Sequence, residues 1–368
     1  MITAEMSKQV PSRDDADHDD ASRTRTRIAG ARAWAATGTV GPLLIAIFLC
    51  LCAAACARSL APPPPVPRAP PAVPFSFTTS IDRDHPLVGR IWNVAQRRFV
   101  AREELEAALV SAHAVLLGEK HDNPDHHRLQ AAMIKALVDH GRRPAVAMEM
   151  LDLDDQPKVD DAARLHPRDV DAFFGAVAWE KKGWPSASDY APILRVALAE
   201  GLPIIAANLP ARDTHALVHG GVAALEPAVV ARLGLAAPMP EPFAASLRAE
   251  LAESHCGMLP ASMLEPMSLA QRARDAEMAA RLELGKQDGA VLIAGTGHVR
   301  KDRGVPRELA RLGEGSLVSV AFAEVMHDER DPARYGAEWH ADRPPFDFVW
   351  FTPRATDADP CEGMRPPK

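Results

Sequence analysis

From residue 90 to residue 351 the chain alternates short apolar runs with longer stretches in which apolar residues recur every three or four positions. Runs of four to eight apolar residues suit buried strands, and the intervening spacing suits amphipathic helices packed on them. Arg90–Val94 and Gln96–Val100 read as a small hairpin, followed by a helix over Arg102–Ser111. Ala114–Leu117, Ala145–Met148, Pro203–Ala207 and Ala290–Ala294 read as further strands, and Leu317–Val325 and Phe346–Phe351 finish the sheet. Strands separated by helices favour a parallel arrangement with helices on its faces. The predicted fold class is therefore α/β, a mostly parallel central sheet flanked by helices, with length enough for a helical insertion or subdomain.

Four of these strands run into polar residues or glycine at their carboxyl ends: Gly118-Glu119-Lys120-His121, Glu149, Asn208, and Gly295-Thr296-Gly297-His298. In open parallel sheets the ligand crevice lies outside those ends, so four distant segments are expected to converge on one site. Asn123-Pro124-Asp125 is an N-cap, a proline at the first helical position and a first-turn acid, so a helix starts at Pro124. His126 and His127 fall in its first turn, where the positive dipole end favours neutral imidazole, the form that binds metal. Surface histidines at helix starts are the other account of them. Glycines beside His298 allow positive φ and a close approach of backbone to ligand. Glu149, between Met148 and Met150, is either a buried acid with a partner or a ligand. Imidazoles and carboxylates suit a divalent metal or iron with a position left open, so Glu119, His121, Glu149 and His298 are the candidate metal set. A hydrogen-bonded polar core without metal is the alternative. A helix expected over Ser268–Leu284 puts Gln271, Arg274, Asp275 and Met278 on one face, either reaching toward the site or forming an exposed ion pair.

With 42 Lys+Arg against 49 Asp+Glu the formal charge is −7, which supplies no basic footprint for nucleic acid and leaves a small ligand as the expected partner. Residues 1–55 read as an export region: a polar extension, arginines at 23, 25, 27 and 32, then an apolar run from Val40. It ends in Ala53-Ala54-Ala55-Cys56, small residues before a cysteine, as in a lipoprotein cleavage box that would leave Cys56 lipidated; an uncleaved anchor and a plain secretory signal are the alternatives. Residues 56–75 then form a proline-rich tether, with eight prolines between Ala61 and Pro74. Residues 76–359 form one domain and 360–368 a tail. This organisation places the protein in the bacterial cell envelope, anchored to a membrane and facing the periplasm. Cys256 and Cys361 can bridge in such a compartment, although spacing alone does not establish the geometry.

LLGEKHDNPDHHRLQ (116–130), VAMEML (146–151), AANLP (206–210), HCGMLP (255–260), AQRARDAEMA (270–279), GTGHVRKDRGVP (295–306) and FDFVWFTPR (346–354) resemble the ChaN-like haem-binding lipoproteins of the Tiki superfamily. The resemblance runs from about Arg90 to Arg354. The wider superfamily, which includes Tiki metalloproteases and resembles erythromycin esterases, is marked by paired Gly-x-x-His motifs and a glutamate, matched here by Gly118–His121, Gly295–His298 and Glu149. The resemblance implies haem or iron binding in envelope uptake, with a haem pair held at a homodimer interface by tyrosine and a receptor or transporter as further partner. Tyr190 and Tyr335 are the only tyrosines. Tyr190, in WPSASDYAPI with Trp184 and Pro192 as candidate wall, is the expected ligand, a histidine being the alternative; Arg128, Arg300 and Arg303 are expected at the propionates. The other half of the superfamily implies a metal-dependent hydrolase of peptidase or esterase type, with Glu119 as general base and His121, His298 and Glu149 binding metal or polarising substrate. A structural envelope protein with a vestigial site is the third class.

Overall fold

The computed structural model describes residues 69–285, 287–313, 315–359 and 361–362. Cys56, the export region and most of the tether lie outside them. In chain order the elements are β1 (Ile91–Asn93), β2 (Arg98–Val100), α1 (Arg102–Ser111), β3 (Ala114–Glu119), α2 (Pro124–Asp139), β4 (Ala145–Asp152), α3 (Gln156–Leu165), α4 (Val170–Ala176) and α5 (Ala187–Ala199). They continue with β5 (Ile204–Asn208), α6 (Ala211–Gly220), α7 (Pro227–Leu233), α8 (Glu241–Ser254), α9 (Ala261–Leu282), β6 (Ala290–Gly295), α10 (Val305–Leu312), β7 (Leu317–Glu324) and β8 (Phe348–Thr352).

The strands form an eight-stranded sheet in the order β2-β1-β8-β7-β3-β6-β4-β5. Every pair from β8 to β5 is parallel, and only β1 runs antiparallel to its neighbours β2 and β8. The sheet is thus mostly parallel, as the alternating pattern implies. From β3 the chain moves outward to β4 and β5, then returns to insert β6 between β3 and β4 before crossing to β7. That reversal opens a crevice at the carboxyl ends of β3, β6 and β4.

Side chains alternate across the strands and separate two cores. Val115 and Leu117 of β3, Val146 and Met148 of β4, and Val291 and Ile293 of β6 pack with α1, α2 and α5. Ala114, Leu116, Ala145, Ala147 and Leu292 face the other way, toward Met278, Ala279 and Leu282 of α9 and Val305 and Leu309 of α10. The small residues on this second face let α9 lie close to the sheet. A third, smaller core joins α6, α7 and α9 through Leu217, Leu233, Ala273 and Ala276, and forms the expected helical addition.

Helix α9 starts at Ala261, seven residues before the Ser268 expected from spacing, and carries Pro266 in its second turn. The cap at Pro124 forms as the sequence implies, the Asn123 side chain accepting from Asp125 N–H at 3.0 Å. Cys256 and Cys361 are joined by a disulfide with Cα atoms 5.6 Å apart, tying the tail to the turn between α8 and α9. No single helix among the described residues is long and apolar enough to cross a membrane.

Candidate functional site at the carboxyl edge of the sheet

Strand parity sends the two acids of the crevice in opposite directions. Glu119 has the parity of Val115 and Leu117 and points toward α2 and α5. Glu149 has the parity of Ala145 and Ala147 and points toward α9. Both are buried.

On the first side, Tyr190 O–H of α5 donates to Glu119 Oε1 at 2.6 Å. His127 of α2 stacks on the Tyr190 ring, centroids 3.9 Å apart, and brings Nε2 to 3.3 Å from Glu119 Oε2. Neither ring nitrogen of His127, nor Glu119 Oε2, finds a well-aligned hydrogen bond among the described residues. Burial pushes the Glu119 carboxyl up, but the nearby His127 imidazole and the hydrogen-bonded His121 outweigh it and hold the group well below the ordinary carboxylate range. Burial and the Glu119 charge push the Tyr190 hydroxyl far above its usual value, so it stays protonated.

On the second side, Arg274 of α9 donates to Glu149 Oε1 at 2.5 Å and Gly295 N–H donates to Oε2 at 2.8 Å. His298 sits between acids, with Nδ1 2.6 Å from Asp275 Oδ1 and Nε2 3.2 Å from Glu149 Oε1. Burial disfavours its charge, yet Glu149 and Asp275 overcome this and push the imidazole up to about 9. Burial likewise raises Glu149, and His298 and Arg274 reverse that to hold it well below its ordinary value. Arg274 also donates to Asn208 Oδ1 at 2.9 Å, bringing the end of β5 into the network.

His121 joins the two sides. Its Nδ1 lies 2.8 Å from Glu119 Oε1 and its Nε2 3.8 Å from Glu149 Oε2, with the side chain 32% exposed against Trp184, 4.9 Å between ring centroids. Burial lowers its affinity for a proton, while Glu149 and Glu119 raise it more, for a net upward shift. A Cβ on Gly295 would stand 2.9 Å from His121 Nε2, so close approach explains that glycine. This corrects the expectation of positive φ at Gly295 and Gly297; the positive φ in the loop belongs to Gly304, at 79°.

The convergence inferred from four strand ends is therefore real for Glu119, Glu149, Asn208 and His298, and Gln271, Arg274 and Asp275 do reach the site. Other expected residues have different work. His126 accepts from Lys120 N–H at Nδ1 and faces Thr352 Oγ1 through Nε2, both at 2.9 Å, and burial and His127 push it down to about 3. It is neutral, as its helix position suggests, with both nitrogens already engaged. Arg128 donates to Asp125 at 2.7 Å and to Ser76 O, and lies over the Phe75 ring, while Asp125 accepts from Thr78 and Thr79. These contacts clamp residues 75–79 onto the start of α2. Arg300, fully buried, pairs with Glu250 at 2.9 Å and with Asp302 at 2.7 Å, and Arg303 also pairs with Glu250. Tyr190 as an iron ligand would have to lose a tightly held proton beside an ionised acid. The sequence signal for its observed role is parity: Glu119 had to face whatever helix covers that side.

Glu119, His121, Glu149 and His298 are close together but are not arranged as a cation cage. Among the described residues no group of three or more His, Cys, Asp or Glu side chains is placed to hold a metal ion. The chemistry agrees, since an imidazole with both nitrogens facing acids and a guanidinium 2.5 Å from Glu149 occupy the positions a cation would need.

A mostly parallel α/β sheet with a polar site at its topological switch point defines the architectural class. The chain belongs to the family described as haem-binding uptake, Tiki superfamily, ChaN, whose model matches residues 105–309, more than half its length. A solved structure reporting cofacial haem binding to ChaN of Campylobacter jejuni is 20% identical, covers 71% of this chain and 95% of its own, and superposes with a TM-score of 0.57, a likeness of fold. An erythromycin esterase, EreC, in its open conformation is 16% identical over 68% of this chain and 77% of its own, with a TM-score of 0.36. No curated protein matches the chain significantly.

Proposed function

We propose that this protein is an envelope lipoprotein that binds haem in the service of iron uptake. Membership of a haem-binding uptake family carries the reading. The Cys256–Cys361 disulfide supports an oxidising compartment, and the Ala53–Cys56 sequence supports a lipid anchor at Cys56 in a bacterial envelope membrane. A homodimer and a haem receptor or transporter are the partners in this reading. Haemin titration of the full chain in detergent, followed at the Soret band, tests it. Saturation at one or two haems per chain is expected, and absence of saturable binding would sink the proposal.

A second reading is hydrolysis at the strand edge, favoured by the position of His121, partly exposed and in reach of both carboxylates. Glu119, held ionised and low, is a weak base, so His121 is the better proton acceptor for a water, with Glu119 orienting it. Arg274 and protonated His298 hold Glu149 in place. The donor set argues against the metal-dependent form of this reading. Ester or peptide turnover that survives chelation and vanishes in His121→Ala would support it, and turnover unchanged in that variant would refute it.

A further inference from the structure

Residues 72–81 cross the same edge of the sheet that carries the crevice, and their contacts fix where the chain leaves the domain toward Cys56. Val73 N–H donates to Gly89 O at 2.8 Å, and Gly89 N–H donates to Phe351 O at 3.0 Å, at the carboxyl end of β8. Asp125, fully buried in the first turn of α2, accepts from the amides and hydroxyls of both Thr78 and Thr79 at 2.8 Å each. Ile81 pairs with Arg354 just beyond β8. A buried carboxylate satisfied in this way holds the segment firmly, because losing these donors would leave its charge short of partners. Upstream, Ala72 lies against Gly89, where an added Cβ would come within 3.2 Å of it, and Pro70 O accepts from Arg90 at 3.3 Å. Arg90 precedes β1, whose antiparallel course puts its amino end at the carboxyl edge of the sheet. The exit and the crevice therefore share one edge, β1 and β3 being three strands, about 15 Å, apart.

The chain upstream limits how the domain can turn. Cys56 stands 14 residues before Pro70, a span of at most about 50 Å when fully extended. A domain of this length has a radius of gyration of about 19 Å, hence a diameter of about 50 Å and a path over its surface from carboxyl to amino edge of about 75 Å. A lipid on Cys56 can therefore let the carboxyl edge rest on a bilayer, but it cannot reach far enough for the amino edge to do so.

We infer that the carboxyl edge of the sheet, with His121 and the crevice, is held by its short tether facing the lipid surface that carries the Cys56 anchor. The inference rests on the lipoprotein reading and goes beyond it, since an anchor alone sets no orientation. The partner of this face is the bilayer, and whatever the crevice takes up or releases passes through the layer between domain and membrane. The orientation follows from where the chain leaves the fold and how long it is, and requires no adhesion of the edge to lipid.

Energy transfer tests this, using the full chain acylated in cells, purified from membranes and reconstituted into phosphatidylethanolamine and phosphatidylglycerol vesicles with an acceptor dye on the headgroups. A donor dye is attached through Asp122→Cys, on the exposed turn before α2 at the carboxyl edge, or through Ser111→Cys, exposed at the end of α1 by the amino edge. β3, about 20 Å long, separates the two positions, so transfer should be at least about twofold more efficient from Asp122→Cys. Inserting about thirty glycine and serine residues between Pro67 and Arg68 lengthens the reach beyond the path round the domain and should bring the two efficiencies together. Equal transfer from the two positions of the unextended chain, or stronger transfer from Ser111→Cys, would overturn the orientation while leaving the anchor standing. A difference that the insertion does not reduce would overturn the tether as its cause. A chain that fails to float with the vesicles on a density gradient would overturn the lipoprotein reading and the orientation together.

Discussion

Glu119 and Glu149 stand on either side of β6 at one sheet edge, both buried, and differ by strand parity. Glu119 faces α2 and α5 and is surrounded by rings, with a phenol as donor and an imidazole that leaves hydrogen-bonding capacity unused. Glu149 faces α9 and is enclosed by an arginine, a protonated histidine and a backbone amide. The Glu149 side is a closed charge network suited to holding geometry. The Glu119 side has spare polar atoms and adjoins the partly exposed His121, and so is the half suited to chemistry. The lesson is that one residue type at one sheet edge enters a closed ion network or keeps spare polar neighbours according to the helix it meets.

The strongest test breaks the network on the Glu149 side. Arg274→Ala leaves a buried carboxylate short of one of its two close cations and should cost about 3–5 kcal/mol in urea denaturation. Glu119→Gln, which keeps an acceptor for Tyr190, should cost about 1–2 kcal/mol. Equal losses would erase the distinction between the sides. As a reference outside both, Cys361→Ser opens a link spanning 105 residues and should cost about 2–4 kcal/mol while leaving His121 and Glu119 undisturbed in NMR spectra.

Proton linkage separates the histidines from the acids by sign. His298 goes from an ordinary value of 6.5 up to about 9, so its contribution is fully present below 6.5 and is lost as pH rises through 9. Glu119 and Glu149 are both lowered, so theirs is present above the usual 4.5 and fades as pH falls. Stability should therefore decline as pH rises from 6.5 through 9; His121, also shifted upward, adds to the same limb, and His298→Gln should shrink that limb and spare the acid one. A limb undiminished in the variant would assign the proton elsewhere.

Two further substitutions probe the bridge. Tyr190→Phe removes one hydrogen bond to an ionised acceptor and should cost about 1.5–3 kcal/mol at most, read in the same urea assay. Gly295→Ala should displace the His121 ring at a cost of about 1 kcal/mol or less, seen as a shift of its imidazole resonances. Resonances that stay in place would mean the ring does not approach Gly295 in solution.

Most of the fold and the location of the site were legible in the sequence. The strand runs, their polar ends and the cap at Pro124 are local patterns, and parallel topology follows from strands alternating with helices. The face of α9 was legible too, since Arg274, Asp275 and Gln271 share a helical stripe. The assignment of roles was harder. Tyr190, Arg128, Arg300 and Arg303 carry the right chemistry for haem, but Glu119, Asp125, Glu250 and Asp302 engage them; Glu119 and Glu250 come from other elements, and Asp125 and Asp302 are near neighbours whose pairing needs the local fold.

What the chain order determined by itself was periodicity, and with it the sheet, the helices and the gathering of Glu119, Glu149, Asn208 and His298 at one edge. Only the tertiary structure decided which groups are paired. Pairing depends on distances of about 3 Å between segments far apart in the chain, as the 146 residues between Glu149 and Gly295, and on burial that sets the charge of each group. The same residues can form a metal cage or a hydrogen-bonded network, and here Arg274 and Asp275, delivered by α9, made them a network.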